Sequence, residues 1–153
     1  MATETENPSS SVTWLTEPVT ASDILVAAAN FRDSNPLHSC QSAAKRKFGE
    51  DATGIVAPGA QILGLVGGML TSIYGEDTVA HELSNVKLSR CICPGDFLGI
   101  SIEETFDQTR SWNRYVHMNV TILRRRGEEI LPICRKHPVY VEIVCPEKQA
   151  GSD

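Results

Sequence analysis

The amino-acid sequence predicts an α+β domain in which an antiparallel sheet wraps around one long apolar helix. No charged residue lies between Ala60 and Tyr74, and the apolar residues of this stretch cover much of a helix circumference, so the helix should be buried. From Leu98 onward, apolar and polar residues alternate, which is typical of half-buried strands. Because the helical patterns come first and the alternating patterns last, the sequence favours the α+β class.

Length and composition indicate one domain. A chain of 153 residues, 41% of them hydrophobic, can bury one core and has little room for a second. We expect the domain at residues 13–147, with residues 1–12 as a disordered N-terminal tail and 148–153 as a C-terminal tail, since both ends are polar. No internal repeat indicates two fused copies.

The net charge and the absence of recognisable targeting signals argue against nucleic-acid binding, membrane binding and secretion. A net charge of −5 leaves no general basic face for nucleic acid or an anionic membrane. The apolar helix has about fifteen residues, short of the ~20 that cross a bilayer, and the polar first residues do not resemble a secretory signal. We therefore expect a cytoplasmic protein that binds neither nucleic acid nor a membrane.

The five cysteines do not form a recognisable metal or disulfide framework. Their number is odd, so reduced thiols are expected. Cys91 and Cys93 point the same way on a strand, but no second matching pair accompanies them. Thiols buried in the core are favoured over a metal site.

Two shorter helices are predicted before the apolar one. The first begins near Ser22 and leads to Asp33, and the second runs from Ser39 to about Phe48. One face of the first helix is apolar, with Ile24, Ala28 and Phe31 at helical spacing.

The alternating segments predict at least three strands. Their apolar positions are Leu98, Ile100 and Ile102; Val116, Met118, Val120 and Ile122; and Val139, Val141 and Ile143. A turn at 126–128 connects two strands, and a further strand through Val86 and Leu88 is expected before Pro94.

The turn from Asp33 to His38 holds two groups that carry protons. Pro36 fixes its own φ and biases Asn35 away from the α region, while Asp and Asn side chains favour bonds to nearby backbone amides. The result should be a stiff turn with a carboxylate and an imidazole five residues apart. Asn35 is expected to shape this turn more than to act on a substrate.

Three segments in order resemble the MaoC-like dehydratases and (R)-specific enoyl hydratases, which have the hotdog fold. The first is the turn just described, with Phe31 before it and Ala43-Ala44 after it. The second, Gly54–Ala60, is similar to the family's loop into its central helix, and the third, Val86–Asp96, is similar to the strand and turn after that helix. The resemblance implies a single hotdog domain.

The resemblance also implies an activity and its residues. It implies a hydro-lyase that adds or removes water on an acyl thioester, a 3-hydroxyacyl or trans-2-enoyl group carried by coenzyme A or an acyl carrier protein. In that family the residues matching Asp33 and His38 are catalytic, and Gly59 and Asn35 are the candidate oxyanion- and substrate-binding residues. It further implies a homodimer with sheets joined side by side, and no metal or cofactor apart from the coenzyme A or phosphopantetheine of the substrate.

The chemistry of dehydration explains why these residue types suit the task. The reaction needs a base for the α-proton, an acid for the leaving hydroxyl and donors for the enolate-like oxygen. Imidazole exchanges protons near neutral pH, so His38 would take the α-proton while Asp33 holds the water or hydroxyl. A backbone amide at Gly59, at a helix N-terminus, would bind the thioester oxygen.

Several alternatives stay open at this point. One alternative is that Asp33 and Asn35 only cap backbone amides, and another is that Gly59 is required only by sterics at a helix start. The chain has Pro58 where many relatives have His, and Arg32 where glycine is common. A hotdog thioesterase and a non-catalytic acyl-binding assembly subunit are the alternative functions. The run 124–126 of three arginines either attracts the phosphates of the carrier or forms a charged hairpin end.

Overall fold

The apolar helix predicted from the sequence lies at the centre of the fold. The computed structural model describes residues 11–146. In chain order its elements are β1 (Val12–Trp14), α1 (Ala21–Asn30), α2 (Gln41–Phe48), α3 (Gly59–Tyr74), β2 (Val79–Ser84), β3 (Phe97–Arg110), β4 (Asn113–Arg126), β5 (Glu129–Pro132) and β6 (Val139–Pro146). Short 3-10 turns lie at Pro36–His38 and Gly49–Asp51.

The sheet is antiparallel and wraps around α3. Within residues 11–146 its strand order is β1-β3-β4-β6-β2, and β5 pairs with β4 beside this path. The long hairpin of β3 and β4 forms most of it, with Phe97 opposite Arg125 at one end and Arg110 opposite Asn113 at the other. This arrangement confirms the predicted α+β class and the hotdog fold.

The core lies between α3 and the inner face of the sheet. Four residues of α3 are buried at helical spacing: Ile62, Val66, Met69 and Leu70. The strands supply alternate residues, all at most 1% exposed: Leu98, Ile100, Val116, Met118, Val120, Ile122, Val139, Val141 and Ile143. Every second residue of these strands is therefore buried, as the alternation in the sequence predicted, because successive side chains of a strand point to opposite faces.

The helix starts differ slightly from the prediction. α1 begins one residue before Ser22, because Thr20 and Asp23 form a capping box: Thr20 Oγ1 accepts from the Asp23 amide at 3.1 Å, and Asp23 Oδ2 accepts from the Thr20 amide at 2.8 Å. α2 begins at Gln41 instead of Ser39, since Pro36 first starts a separate 3-10 turn.

The strand expected through Val86 and Leu88 was placed too late in the chain. The strand after α3 is Val79–Ser84, which pairs with β6, and Leu88 makes only an isolated bridge to Cys134. No alternating pattern predicts β2, because its first four residues are all exposed. Pairing with β6 decides its position.

The ends of the predicted domain fall largely on residues that are not described. Residues 1–10 and 147–153 of the predicted tails lie outside the described range. Val12, which the prediction assigned to the N-terminal tail, pairs with Ser101 of β3. In the part of the chain that the structure describes, every helix is too short or too polar to span a bilayer.

Candidate active site

The end of α1 determines where Asp33 points. The Arg32 amide donates to Ala29 O at 3.1 Å, and the Asp33 amide donates to Ala28 O at 2.8 Å. These two bonds form the Schellman motif, which requires a left-handed residue just past the helix. Arg32 holds that position with φ of 52°. Glycine adopts this conformation more readily than arginine, which gives a physical reason for the glycine that relatives have there.

The turn after Asp33 is built from side chain to backbone bonds. Asp33 Oδ1 accepts from the Asn35 amide, and Asn35 Oδ1 accepts from the Leu37 amide, both at 3.1 Å. Asn35 is the N-cap of the Pro36–His38 turn. The expected role of Asn35 in shaping the turn agrees with these bonds, and its side-chain oxygen is already occupied.

Asp33 and His38 face one another across this turn. Asp33 Oδ2 lies 3.1 Å from His38 Nε2, so one carboxylate oxygen caps the turn while the other meets the imidazole. The His38 side chain is 9% exposed and that of Asp33 is 40% exposed. The pair therefore has one buried member and one that opens to solvent.

A backbone carbonyl 18 residues away orients the imidazole. His38 Nδ1 lies 2.5 Å from Val56 O. A carbonyl can only accept, so Nδ1 carries a hydrogen, and Nε2 is the nitrogen available to take or give a proton. Val56 is held in place by its own amide, which donates to Leu37 O at 2.9 Å. The sequence offered no signal for this contact, because the group is a main-chain carbonyl.

The segment that orients His38 leads directly into α3. The Ala57 amide donates to Ile92 O at 2.8 Å, and Pro58 is the N-cap of α3 without a side-chain capping bond. Gly59 is the first helical residue, and its amide finds no acceptor among residues 11–146. A Cβ added to Gly59 would lie 3.2 Å from Leu88 Cδ1. The predicted oxyanion donor is thus an unoccupied amide at a helix N-terminus.

An apolar groove of about 630 Å³ runs along the same side of the molecule. It lies between the segment after β1, helix α1 and the first half of α3, and Phe31 and Ala60 are among its walls. Gln61 also lines it, and the side-chain oxygen of this residue is buried without a hydrogen-bond partner among the described residues. Asp33, His38 and Gly59 are not among its walls, but Phe31 precedes Asp33 by two residues and Ala60 follows Gly59.

Two of the three successive arginines are engaged within the fold, which argues against phosphate binding, the first of the two alternatives for this run. Arg124 is 1% exposed and donates to Asp51 Oδ1 and to Cys91 O, both at 2.8 Å. Arg126 donates to both oxygens of the buried Asp96 at 2.7 Å. Alternation along β4 turns both side chains inward, where carboxylates meet them.

The middle arginine points to the outer face of the sheet. The Arg125 guanidinium carbon lies 5.0 Å from the centre of the Trp14 ring and 4.5 Å from that of Phe97. Both distances suit cation–π contacts. All three arginines of the run are therefore used within the fold.

The Cys91 and Cys93 thiols lie in the core, as the sequence predicted. Both are buried, and their Sγ atoms are 3.8 Å apart. Cys91 Sγ also lies 3.2 Å from Asp51 Oδ2. No cluster of three or more His, Cys, Asp or Glu side chains within residues 11–146 is arranged to hold a metal ion.

Comparison with known proteins identifies relatives by structure alone. No protein family model matches the sequence. No curated protein matches it either.

Solved structures match over nearly the whole chain. R-hydratase PhaJ1 from Pseudomonas aeruginosa superposes with a TM-score of 0.67 at 18% identity, over 91% of this chain and 82% of that one. The (R)-hydratase from A. caviae involved in PHA biosynthesis gives 0.61 at 17% identity, over 90% and 96%. The MaoC-like dehydratase from Rhodospirillum rubrum gives 0.63 at 17% identity, over 92% and 90%. At these identities the likeness establishes a shared fold.

Proposed function

We propose that this chain, which has the hotdog fold of the (R)-hydratases and MaoC-like dehydratases, is a hydro-lyase acting on acyl thioesters. The observation that carries the proposal is the 3.1 Å contact between Asp33 Oδ2 and His38 Nε2. Two groups that exchange protons meet at a turn whose backbone amides are held by two side-chain hydrogen bonds, and Val56 O orients the imidazole. General acid–base catalysis needs such a pair within hydrogen-bonding distance.

The surroundings of the pair suit an acyl thioester. The groove between α1 and α3 offers apolar walls for an acyl chain, and Phe31 and Ala60 in its walls are close in sequence to Asp33 and Gly59. The Gly59 amide, at the positive end of α3, supplies a donor for the thioester oxygen. Pro58 cannot donate a backbone hydrogen bond, so Gly59 carries this role without a second amide from its predecessor.

The proposed reaction moves one proton and one hydroxyl group. In dehydration, His38 Nε2 takes the proton from C2 of the 3-hydroxyacyl group, and electron density passes to the thioester oxygen at the Gly59 amide. Electron density then returns from the thioester oxygen to form the C2–C3 double bond, and the C3–O bond breaks. The proton held by His38 passes through Asp33 to the leaving hydroxyl, which departs as water. Hydration runs through the same steps in reverse. The substrate would be a 3-hydroxyacyl or trans-2-enoyl thioester of coenzyme A or an acyl carrier protein, and no separate cofactor enters.

Hydration of crotonyl-coenzyme A, followed by loss of enoyl absorbance, tests the proposal. We expect the native chain to be active and both Asp33→Asn and His38→Ala to lose about 10²- to 10⁴-fold in kcat, since each removes a proton-carrying group. Ser34→Ala, between the two in sequence, is the matched control and should keep native activity. Circular dichroism of each variant verifies that it is folded.

Mass analysis of the products separates the alternatives. An intact thioester that has gained the mass of water supports the hydro-lyase. Release of free thiol would instead indicate a thioesterase that uses the same Asp33–His38 pair. If neither crotonyl-coenzyme A nor a carrier-linked panel of enoyl thioesters reacts, while acyl thioesters still bind, the chain is an acyl-binding subunit and the proposal is wrong.

A further inference from the structure

The positive charge of this acidic chain is distributed unevenly. Arg114, Arg124 and Arg126 each form an ion pair with a carboxylate. In contrast, Lys47, Lys87 and Arg90 have no acidic partner within 4.0 Å among residues 11–146, and neither does Arg135. Other cations among residues 11–146, such as Arg32 and Arg110, also lack an ion pair, but backbone contacts bring Lys87 and Arg135 together.

The backbone places Lys87 opposite Arg135. Leu88 bridges to Cys134, the Arg135 amide donates to Lys87 O at 2.6 Å, and the Ser89 amide donates to Ile133 O at 2.8 Å. In this antiparallel register, residues 87 and 135 face each other, and both are exposed. Like charges directly opposite each other destabilise a pair of strands. An anion held between them would remove that repulsion.

A polar cavity lies beside this pair. Its volume is about 420 Å³, and its walls include Lys47 from α2 and the consecutive residues Ser89 and Arg90. Asp51 also lines the cavity, but Arg124 and the Cys91 amide already bind its two carboxylate oxygens, at 2.8 and 3.1 Å. The Ser89 hydroxyl donates to Ile133 O at 3.3 Å. An ammonium and a guanidinium therefore remain to bind a ligand, and these are donors that phosphate oxygens favour.

The cavity is connected to the candidate active site through Leu88. Leu88 Cδ1 would lie 3.2 Å from a Cβ on Gly59, so this side chain covers the start of α3. The next two residues, Ser89 and Arg90, line the cavity. A substrate whose thioester oxygen is bound at Gly59 would thus extend along this segment toward the unpaired cations.

We propose that this cavity binds the phosphate of the group that carries the acyl thioester, with Lys47 and Arg90 as its ligands; the assignment rests on the function proposed above. Coenzyme A and the phosphopantetheine of a carrier protein both place a phosphate at the end of a pantetheine arm. Lys87, which faces Arg135, precedes Ser89 of the cavity wall by two residues and adds positive charge to the same segment. The phosphate site is therefore separate from the three arginines at 124–126.

Calorimetric titration of the full chain with coenzyme A tests the site without turnover. We expect the double variant Lys47→Gln/Arg90→Gln to bind at least about tenfold more weakly, because two charge-assisted contacts are lost. Raising the salt from about 50 to about 500 mM should weaken native binding and have a smaller effect on the variant. Arg46→Gln, an exposed neighbour on α2 outside the cavity, is the matched control and should bind as the native chain does.

Two further titrations identify which carrier supplies the phosphate. They also distinguish failure of the phosphate site from failure of the proposed hydration activity. In these titrations, holo and apo acyl carrier proteins are used in place of coenzyme A. The carrier is identified as the titrant that the double variant binds more weakly than the native chain does. If the native chain binds coenzyme A through these residues but hydrates no enoyl thioester, the phosphate site is supported and the proposed activity is contradicted. Equal affinity of native and double variant for both coenzyme A and holo carrier protein overturns the site, whatever the activity.

Discussion

At the scale of single residues, the site depends on side chains that make more than one contact. Asp33 caps the Asn35 amide with one oxygen and meets His38 with the other. His38 uses Nδ1 to bind Val56 O and so keeps Nε2 directed at the carboxylate. A local capping role and a role in proton transfer are therefore compatible in Asp33, because a carboxylate has two oxygens.

Gly59 allows a residue-scale test of the proposed oxyanion site. We expect Gly59→Ala to leave the free energy of unfolding nearly unchanged, because its Cβ would meet only the flexible end of Leu88 at 3.2 Å. The methyl group would nevertheless crowd the substrate beside the amide, and kcat/KM for crotonyl-coenzyme A should fall about tenfold. Chemical denaturation and the hydration assay measure the two effects.

Gly68→Ala provides the matched control on the same helix. A Cβ at Gly68 meets nothing within 4 Å, so the variant should keep native kcat/KM. Native activity in Gly59→Ala as well would show that no substrate oxygen binds at the start of α3.

At the scale of elements, the sheet ends in a strand with one unpaired edge. β2 pairs with β6 on one side, and its other edge has no partner strand among residues 11–146. Val79 at its start is 55% exposed. Edges of this kind readily pair with another chain unless they are charged or covered. We therefore propose β2 as the edge at which the expected homodimer joins its two sheets.

Sedimentation equilibrium tests this dimer. The native chain should sediment with about twice its 16.7 kDa mass, and Val79→Lys should shift it toward the monomer, since a charged edge disfavours strand pairing. Leu25→Lys, at a 48% exposed residue of α1, is the control and should remain dimeric. A native monomer at all concentrations, or a dimer that persists in Val79→Lys, argues against this edge.

At the scale of the whole molecule, a buried network connects the helical half to the sheet. Arg124 reaches from β4 to Asp51, which follows α2, and Arg126 reaches Asp96 just before β3. Burial raises the pKa of Asp51, but hydrogen bonds from the Cys91 amide and Arg124 outweigh it, so the pKa lies below its ordinary value of 3.8. Ionised Asp51 therefore stabilises the folded chain above pH 3.8, and this contribution is lost as the pH falls through the lowered pKa.

Asp51→Asn should weaken the fold at neutral pH more than in acid. We expect a loss of roughly 2 kcal/mol at pH 7, since Arg124 is buried while Asp51 is partly exposed and Glu129 still contacts the arginine. The difference from native should shrink below about pH 4. Urea unfolding at both pH values measures it, with the exposed neighbour Glu50→Gln as control. If the native chain and the variant differ by the same free energy of unfolding at both pH values, the charge of Asp51 does not cause the loss of stability.

The sequence alone was sufficient for the elements whose signal is local. The buried α3, the alternation of β3, β4 and β6 and the turn at Asp33 all follow from periodicity and from proline and cap chemistry within a few residues. The hotdog arrangement followed from the resemblance of three segments in order, and structural similarity confirms it.

Only the tertiary structure decided the features that depend on distant residues. The contact of Val56 with His38 joins groups 18 residues apart, and that of Arg124 with Asp51 joins groups 73 apart. Strand β2 is defined by its pairing with β6 and not by its own pattern. A sequence pattern reports which face of an element is buried, whereas the partner across that face is selected by packing of the whole chain. For this reason the sequence predicted the catalytic candidates, and the fold determined which cations have no ion pair among the described residues.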